Sequence, residues 1–360
     1  MTHTARSTLA DVAKRAGVSG STASLAFSGG SISVATRERV MTAARELNYS
    51  GPDPRARSLR QGRSGIVGVI IEDRVLNSFR DPMTLAALDG ISQELGEGSG
   101  MLLLTAVGDG ESTIQSAVFD AAIFMGCSPH LARSIEIMRQ RNIPMVAIEG
   151  QAFDGVLAVS LDNREAARQI AQVVRDFGHT RVATVTLPLD ALRSLRSLDD
   201  EIVATATTAV SIDRLEGARD VFPGIEGVVA ASSSSEDGRE AGLRLLAGPD
   251  LLAAPASSRP TAILAQSDLL AVGVIRAAEQ LGLAVPGDLT VVGFDGARIE
   301  GFSDYELTTM KQPATEKGRA AGAAVTALLA GEPAADVSFA SVLRMGNTAG
   351  PVPVASLAIS

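Results

Sequence analysis

The sequence contains no tryptophan, two tyrosines and a single cysteine among its 360 residues. One cysteine can neither form a disulfide within the chain nor supply a cysteine-based metal site, so both kinds of stabilised scaffold are excluded. Apolar runs such as IVGVII stop far short of the roughly 20 residues that a membrane-spanning helix needs. The N-terminus also lacks the basic patch and apolar core of a secretion signal. We therefore expect a cytoplasmic protein that is neither exported nor bound to a membrane.

Motifs of several enzyme classes are missing as well. The sequence has no G-x-G-x-x-G or G-x-x-x-x-G-K-[ST] phosphate loop and no G-x-S-x-G nucleophile elbow, and its three histidines are scattered. We therefore expect no enzymatic activity, no cofactor and no metal. Two alternatives from other classes stay open: an enzyme on a doubly wound α/β fold, and a solute-binding protein for transport, which would need an export signal.

Charge is distributed unevenly along the chain. The net charge is −9, yet residues 1–63 carry ten Lys and Arg against four Asp and Glu, while the rest carries 22 against 37. A basic head on an acidic body indicates that the head alone meets a polyanion such as nucleic acid. A solvated basic arm is the alternative. The length favours two or three domains.

Residues 8–47 show the pattern of three short helices. Thr8 is placed to cap the first helix and Gly17 to end it, Ser19 to cap the second, and Ser33 or Thr36 to begin the third. The residues expected to face a common core are Leu9, Val12, Ala13, Ala16, Val18, Ala23, Ala26, Val40, Ala43, Ala44 and Leu47. The first two helices are separated only by the short turn from Gly17 to Ser19, and this spacing predicts a helix-turn-helix. The alternative is a three-helix protein-interaction module.

From Ile66 onward, short apolar runs alternate with amphipathic helical patterns. The runs are IVGVII, MLLLTA, AAIFM, IPMVAI, RVATVT, GVVAAS, TAILAQ and LTVVGF. Continuous apolar strands that alternate with helices indicate parallel sheets covered on both faces. Roughly ten strands are too many for one compact sheet, so we predict two doubly wound lobes.

Ligands in such folds bind beyond the carboxyl ends of the strands. Polar residues that follow strands are Glu72, Asp73, Asp162, Ser267, Asp268 and Asp295, and Arg214 begins a helix after a further strand. Carboxylates and an arginine around a cleft can hold a polyol by bidentate hydrogen bonds, which suits a sugar or a nucleoside. Taken singly, each of these residues fits a helix cap or a surface charge better than a ligand contact.

The stretch TLADVAKRAGVSGSTASLAFSG, followed by SVATRERVMTAARELNYSGPDPRARSLRQGRSGIVGVI, resembles the N-terminus of LacI/GalR (lactose-repressor/galactose-repressor) family transcription regulators. Weaker similarity continues to about Thr348, with a poor match over Leu187–Glu201. The resemblance implies an N-terminal all-α helix-turn-helix domain plus an α/β periplasmic-binding-protein type I effector domain of two doubly wound parallel-sheet lobes, between which the chain crosses three times. It places the DNA-binding headpiece at 1–51, a hinge helix at 52–63 and the ligand-binding and dimerisation domain at 64–348. Residues 349–360 contain two prolines and no heptad pattern, so we expect them to form a loose tail.

The resemblance also implies which residues contact double-stranded DNA. The base-reading positions of the family correspond to Gly20, Ser21 and Leu25, at the start of a helix that enters the major groove. Further contacts are expected from Thr8, Ser19, Thr22 and Ser24. In the hinge, the family inserts a leucine into the minor groove beside arginines that meet phosphates. The corresponding residues here are Arg55, Ala56, Arg57, Leu59 and Arg60, and a flexible basic linker is the alternative for this segment.

For a small-molecule effector, the family positions correspond to Asp162, Arg214 and Asp295. Asp73 and Phe79 lie near the first strand of the body, where Phe79 either stacks on a ligand ring or packs under a loop. Ser267 stands where relatives commonly have asparagine. We therefore predict a transcription regulator, most simply a repressor, that binds a palindromic operator as a homodimer or a tetramer and responds to a sugar, polyol or nucleoside in the cleft.

Overall fold

The computed structural model describes residues 7–51, 63–72, 75–106, 110–126, 129–247, 259–299, 302 and 304–353. The chain divides into two compact units, Met1–Gly65 and Ile66–Ser360. Asp73 lies outside the described part of the chain. So do the predicted hinge residues, which are Arg55, Ala56, Arg57, Leu59 and Arg60. Within the ranges given above, no helix combines the length and the apolar character needed to cross a bilayer.

The described residues of the first unit form three helices. They are α1 (Leu9–Ala16), α2 (Gly20–Ser28) and α3 (Val34–Glu46). Thr8 caps α1 in a reciprocal capping box with Asp11, and Ser19 and Ser33 cap the other two helices through their side chains. Gly17 ends α1 in the left-handed conformation, with φ at 63°, which glycine adopts without the steric cost of a Cβ. The predicted starts of all three helices are confirmed.

Small side chains form the centre of this unit. The fully buried residues are Val12, Ala13, Ala23, Ala26, Val40, Ala43 and Ala44, all of which the helical spacing predicted. Phe27 and Tyr49 meet edge to face at the margin, with ring centroids 5.5 Å apart. Because five of the seven buried residues are alanine, the helices approach closely, as the helix-turn-helix requires.

In the part of the second unit that the structure describes, the strands form two sheets, each at the centre of one lobe. The sheet of lobe 1 is wholly parallel, with strand order β12-β5-β4-β3-β1-β2. Its strands are β1 (Ile66–Ile71), β2 (Gly100–Thr105), β3 (Ala121–Met125), β4 (Met145–Ile148), β5 (Val156–Leu161) and β12 (Val337–Phe339). Its helices are α4 (Val75–Ser78), α5 (Pro82–Glu94), α6 (Gly110–Ser116), α7 (Ala132–Gln140) and α13 (Ala314–Ala330).

The sheet of lobe 2 has the order β13-β11-β10-β9-β6-β8-β7 and is parallel except for its two edge strands. Its strands are β6 (Val182–Thr186), β7 (Arg196–Ser197), β8 (Glu226–Val229), β9 (Ala262–Ala265), β10 (Thr290–Asp295), β11 (Thr308–Lys311) and β13 (Val342–Arg344). Its helices are α8 (Asn163–Asp176), α9 (Asp200–Ala204), α10 (Ala209–Val221), α11 (Ser235–Ala247) and α12 (Asp268–Gln280). Buried aliphatic strands fill both lobes, as the continuous apolar runs predicted.

The chain passes between the lobes three times. The first passage follows β5 at Asp162, the second follows β11 at Gln312, and the third joins β12 to β13 at Ser341. Asp162 ties the first passage to the third, because its carboxylate accepts hydrogen bonds from both the backbone N–H and the hydroxyl of Ser341, each at 2.9 Å. The three crossings that the family resemblance implied are confirmed.

The segment after Thr348 differs from the expected loose tail over its first residues. The Gly350 N–H donates to the Thr290 hydroxyl at 3.0 Å, and the Val352 N–H donates to the Phe177 carbonyl at 2.9 Å. The buried ring of His179 contacts the Gly350 carbonyl through Nε2 at 2.9 Å. Residues 349–352 therefore form part of lobe 2, because their backbone groups satisfy buried partners there.

Candidate functional site

A cavity of about 300 Å³ lies between the two lobes, at the carboxyl ends of their strands. Lobe 1 contributes residues directly after β1, β3 and β4, and lobe 2 contributes the start of α10 and the loops after β6 and β8. The polar residues that line the cavity are Glu72, Ser78, Asp81, Thr84, Glu149, Arg193, Thr208, Ser211, Arg214, Ser233, Gln312 and Lys317. This is where the topology of parallel α/β sheets places ligands.

Six polar side chains at the base of this cavity form a closed ring of contacts, here called the polar ring. Its members are Glu149, Asn163, Arg214, Asp295, Gln312 and Lys317. They come from lobe 1, from lobe 2 and from the first two passages between the lobes. The ring therefore connects the two lobes with two of the three passages between them.

One half of the polar ring passes through Asn163 and Arg214. The Asn163 amide donates to Glu149 Oε2 at 2.7 Å and accepts from Arg214 Nε at 2.8 Å. Arg214 also donates to the Gln266 carbonyl at 2.6 Å, and its guanidinium lies 3.7 Å from the centroid of the Phe294 ring. These contacts on several sides fix the Arg214 guanidinium in one orientation.

The other half passes through Gln312 and Lys317. Gln312 donates from Nε2 to Asp295 Oδ1 at 2.6 Å, and Asp295 lies 3.6 Å from Arg214 Nη1. The Lys317 ammonium donates to Glu149 Oε1 and to Gln312 Oε1. Because each ring member has its polar partners within the protein, burial leaves none of them uncompensated.

The two carboxyl groups of the ring have opposite pKa shifts. Burial alone would raise the pKa of Glu149, but the charges of Lys317 and Arg214 hold that pKa below its ordinary value. Burial raises the pKa of Asp295 well above its ordinary value, opposed by Arg214 and reinforced by the nearby Asp268. Glu149 is therefore the anion of the ring, and Asp295 is the carboxyl that takes up a proton more readily.

Strained backbone marks the same region. Five non-glycine residues of the described chain have positive φ angles, and two of them are asparagines, which tolerate the left-handed region. The other three are Glu149 at 62°, Arg193 at 45° and Asp295 at 120°. Such conformations cost about 1–3 kcal/mol each and collect at functional sites. All three lie in the polar ring or line the cavity.

On the headpiece, the N-terminal turn of α2 presents small polar groups. Ser19, Gly20 and Ser21 are exposed, Thr22 and Ser24 are half-buried, and Leu25 is 40% exposed one turn further on. The Ser19 hydroxyl accepts the Thr22 N–H at 3.1 Å. Ser21 and Leu25 are four residues apart and share one helix face, which points away from the buried Ala23 and Ala26.

Two segments of the chain match known protein families. Residues 8–51, which include α1 to α3, match the family described as bacterial regulatory proteins, lacI family. Residues 171–339 match the periplasmic binding protein-like domain. A protein of Mycolicibacterium smegmatis named an HTH-type transcriptional regulator is 33% identical over 96% of this chain and 97% of its own length. The chain belongs to the LacI family.

Two further relatives carry more specific names. The ribose operon repressor of Escherichia coli K12 is 29% identical over 87% of this chain and 90% of its own length. Among solved structures, the lac repressor dimer bound to operator and the anti-inducer ONPF has a TM-score of 0.69 at 22% identity, over 96% of this chain and 99% of that one. The helix-turn-helix and two-lobed effector folds predicted for a LacI-family regulator are thereby confirmed.

In this LacI-family chain, the residues predicted to bind the effector lie at different distances from the cavity. Arg214 lines the cavity, and Asp295 lies behind it, holding Gln312. Ser267 caps α12 and accepts from the Ser233 hydroxyl, which lines the cavity, at 2.8 Å. Asp162 is bonded to Ser341 at a lobe crossing. Phe79 is 59% exposed and is not among the lining residues.

Several residues of the LacI-family site were missed by sequence reasoning. Glu149 directly follows the IPMVAI run, so the rule that ligands bind at strand ends could have identified it. Lys317 and Gln312 flank the start of α13 in a stretch that carries no motif. Arg193 lies in the segment that matched the family poorly. Their proximity depends on contacts such as that between Lys317 and Glu149, which are 168 residues apart in sequence.

Proposed function

We propose that this LacI-family chain is a repressor that binds a palindromic operator as a homodimer and whose DNA affinity is set by a neutral sugar or related polyol in the cleft. Because its target is chromosomal DNA, we place it in the cytoplasm. The proposal is supported above all by one observation, the charge-balanced polar cavity between two lobes of a chain that also carries a helix-turn-helix. A solved relative by fold is named as a repressor dimer on operator DNA.

The lining of the cavity favours an uncharged ligand. Three acidic residues, Glu72, Asp81 and Glu149, are balanced by three basic residues, which are Arg193, Arg214 and Lys317. A ligand with a net charge would upset this balance in a partly desolvated site. Hydroxyl groups both donate and accept hydrogen bonds, so a polyol can use carboxylates and guanidinium groups together.

The described lining also offers no aromatic side chain; its apolar residues are aliphatic. A nucleobase is usually held by stacking as well as by hydrogen bonds, and no such platform faces this cavity from the described residues. A volume of about 300 Å³ falls at the small end of the range for ligand pockets. These features favour a monosaccharide or a similar polyol over a nucleoside.

The DNA-binding part is tested by selecting bound sequences from a random duplex pool with the full chain at near-physiological salt. We expect enrichment of a two-fold symmetric site. Ser21→Glu places a carboxylate on the exposed face of α2 and should abolish enrichment by repelling phosphates. Thr42→Glu adds the same charge to an exposed position of α3 and serves as the control. Enrichment that survives Ser21→Glu would contradict the assignment of α2 as the reading helix.

The effector part is tested on the selected site. Ribose and a panel of neutral pentoses, hexoses and cyclic polyols are added while operator affinity is measured. At least one member should change the affinity, and by linkage operator DNA should change the affinity for that compound by the same factor. An operator affinity that no member of the panel changes would contradict the proposed ligand class.

A further inference from the structure

The segment Leu187–Ser197, here called the cleft loop, extends from the end of β6 and returns as β7. Leu189 is fully buried, and its carbonyl accepts the N–H groups of Thr207 and Thr208 at 2.8 and 3.1 Å. Asp190 and Arg196 form a partly buried ion pair. The cleft loop is thus held at both ends by buried or partly buried contacts, and Arg193 in its middle lines the cavity.

Arg193, in the middle of the cleft loop, reaches across to the other lobe. Its Nη2 donates to the Glu72 carbonyl at 2.6 Å, and both residues line the cavity. The residue has a φ of 45°, a conformation that a non-glycine residue keeps only where its surroundings hold it. The guanidinium is therefore placed by lobe 2 at a defined point beside lobe 1.

Glu72 faces the same space from lobe 1. A Cβ on Gly126 would lie 3.4 Å from Glu72 Oε2, so the carboxylate rests against a glycine that also lines the cavity. A carboxylate accepts hydrogen bonds and a guanidinium donates them. A donor from one lobe and an acceptor from the other suit two neighbouring hydroxyl groups of one ligand.

We propose that Arg193 is an effector-contacting, specificity-determining residue that binds a hydroxyl oxygen of the polyol while Glu72 accepts from an adjacent hydroxyl. The inference rests on the proposed function, because it requires a polyol effector in the cleft. It assigns the cleft loop, which matches the family poorly, to effector selection in this particular chain. The ligand then bridges the two lobes between Arg193 and Glu72.

The test measures binding of ribose and of the same neutral polyol panel by calorimetry, using the full chain without DNA. Arg193→Gln should weaken every probe that binds by about tenfold or more, since hydrogen bonds to charged groups are among the stronger ones. Arg193→Lys should retain part of the affinity, because the charge stays but the forked geometry is lost. Arg244→Gln, in an exposed pair with Glu240 on α11, is the matched control and should bind like wild type.

A second comparison separates direct contact from a general effect on the loop. For wild type, one monodeoxy analogue of the bound polyol should bind more weakly than the parent, because the hydroxyl that meets Arg193 is gone. For Arg193→Gln, the parent and that analogue should bind equally. Wild-type-like binding by Arg193→Gln, an analogue penalty that persists in it, or an equal loss in Arg244→Gln would overturn this inference alone. Failure of every probe to bind wild type would overturn the proposed effector class as well.

Discussion

The Lys317 and Glu149 pair offers the sharpest test of the polar ring. Their side chains are 4% and 12% exposed, respectively. Lys317→Met keeps the aliphatic length of the side chain but removes the ammonium, so Glu149 keeps only the Asn163 amide as a direct side-chain partner in the ring. Removing one partner of a buried ion pair costs about 3–5 kcal/mol, and each kcal/mol lowers the melting temperature of a large domain by about 2–4 °C. We expect a fall of about 6 °C or more.

A thermal melt followed by circular dichroism measures this change, and two further variants make it specific. Arg319→Met lies two residues further along α13, where Arg319 pairs with Glu94 at 2.9 Å but is 55% exposed. Exposed pairs contribute about 0–1 kcal/mol, so this control should melt close to wild type. The double variant Glu149→Gln, Lys317→Met should show a smaller fall in melting temperature than the sum of the two single variants, because it leaves no buried charge unpaired.

The pH dependence has a definite sign. In wild type, the pKa of Glu149 is held below its ordinary value of 4.5, so its stabilising contribution is present above that value and is lost as the pH falls through the lowered pKa. In Lys317→Met, the charge that most strongly lowers the pKa of Glu149 is gone, so that pKa should rise above its wild-type value. The loss of stability should then shrink as the pH falls, because a protonated Glu149 leaves no unpaired charge. The reasoning would be refuted if Lys317→Met had the same melting temperature as the Arg319→Met control. It would also be refuted if the melting temperature of the double variant fell by the full sum of the two single-variant decreases.

Three other changes address separate parts of the molecule. Leu59→Ala should weaken operator binding sharply but leave non-specific DNA binding largely intact in a titration against both DNAs; equal losses would contradict the minor-groove role. Asp295→Ala should abolish the effector response while operator binding persists, and an unchanged dose response would remove Asp295 from the coupling between effector and DNA. Burial lowers the pKa of His179, so stability should fall as the pH drops below about 6.5, and His179→Gln should flatten that part of the melting profile.

Local patterns determined the headpiece almost completely. The caps at Thr8, Ser19 and Ser33 and the stop at Gly17 are decided by residues within a few positions of one another, so spacing alone could predict them. The long apolar strands of both lobes were equally visible. The two-residue strand β7 was not, because so short a segment has no periodicity, and its pairing with β8 is decided by the tertiary structure.

The cavity between the lobes was predicted in position, but only some of the residues that line it were predicted. The strand-end rule located it, and resemblance pointed to Arg214, which lines it. Glu149 and Lys317 belong to different segments whose contact exists only once the lobes have formed, so no window of sequence contains the signal. The strained backbone at Glu149, Arg193 and Asp295 is likewise invisible in the residue types, since none of them is a residue typical of positive φ.

The three passages of the chain between the lobes have a consequence for folding during synthesis on the ribosome. β12 completes the lobe 1 sheet beside β5, where groups on Ala158 and Asp336, 178 positions apart, are hydrogen-bonded. α13 covers the buried face of α5, with Gly318 against the Ala87 backbone. A nascent chain that ends before α13 therefore exposes the apolar surface of α5, including Ile91. The headpiece can form its contacts once residues 7–51 have been made, whereas lobe 1 stays incomplete until β12 has been made, and its apolar surface is exposed in the meantime.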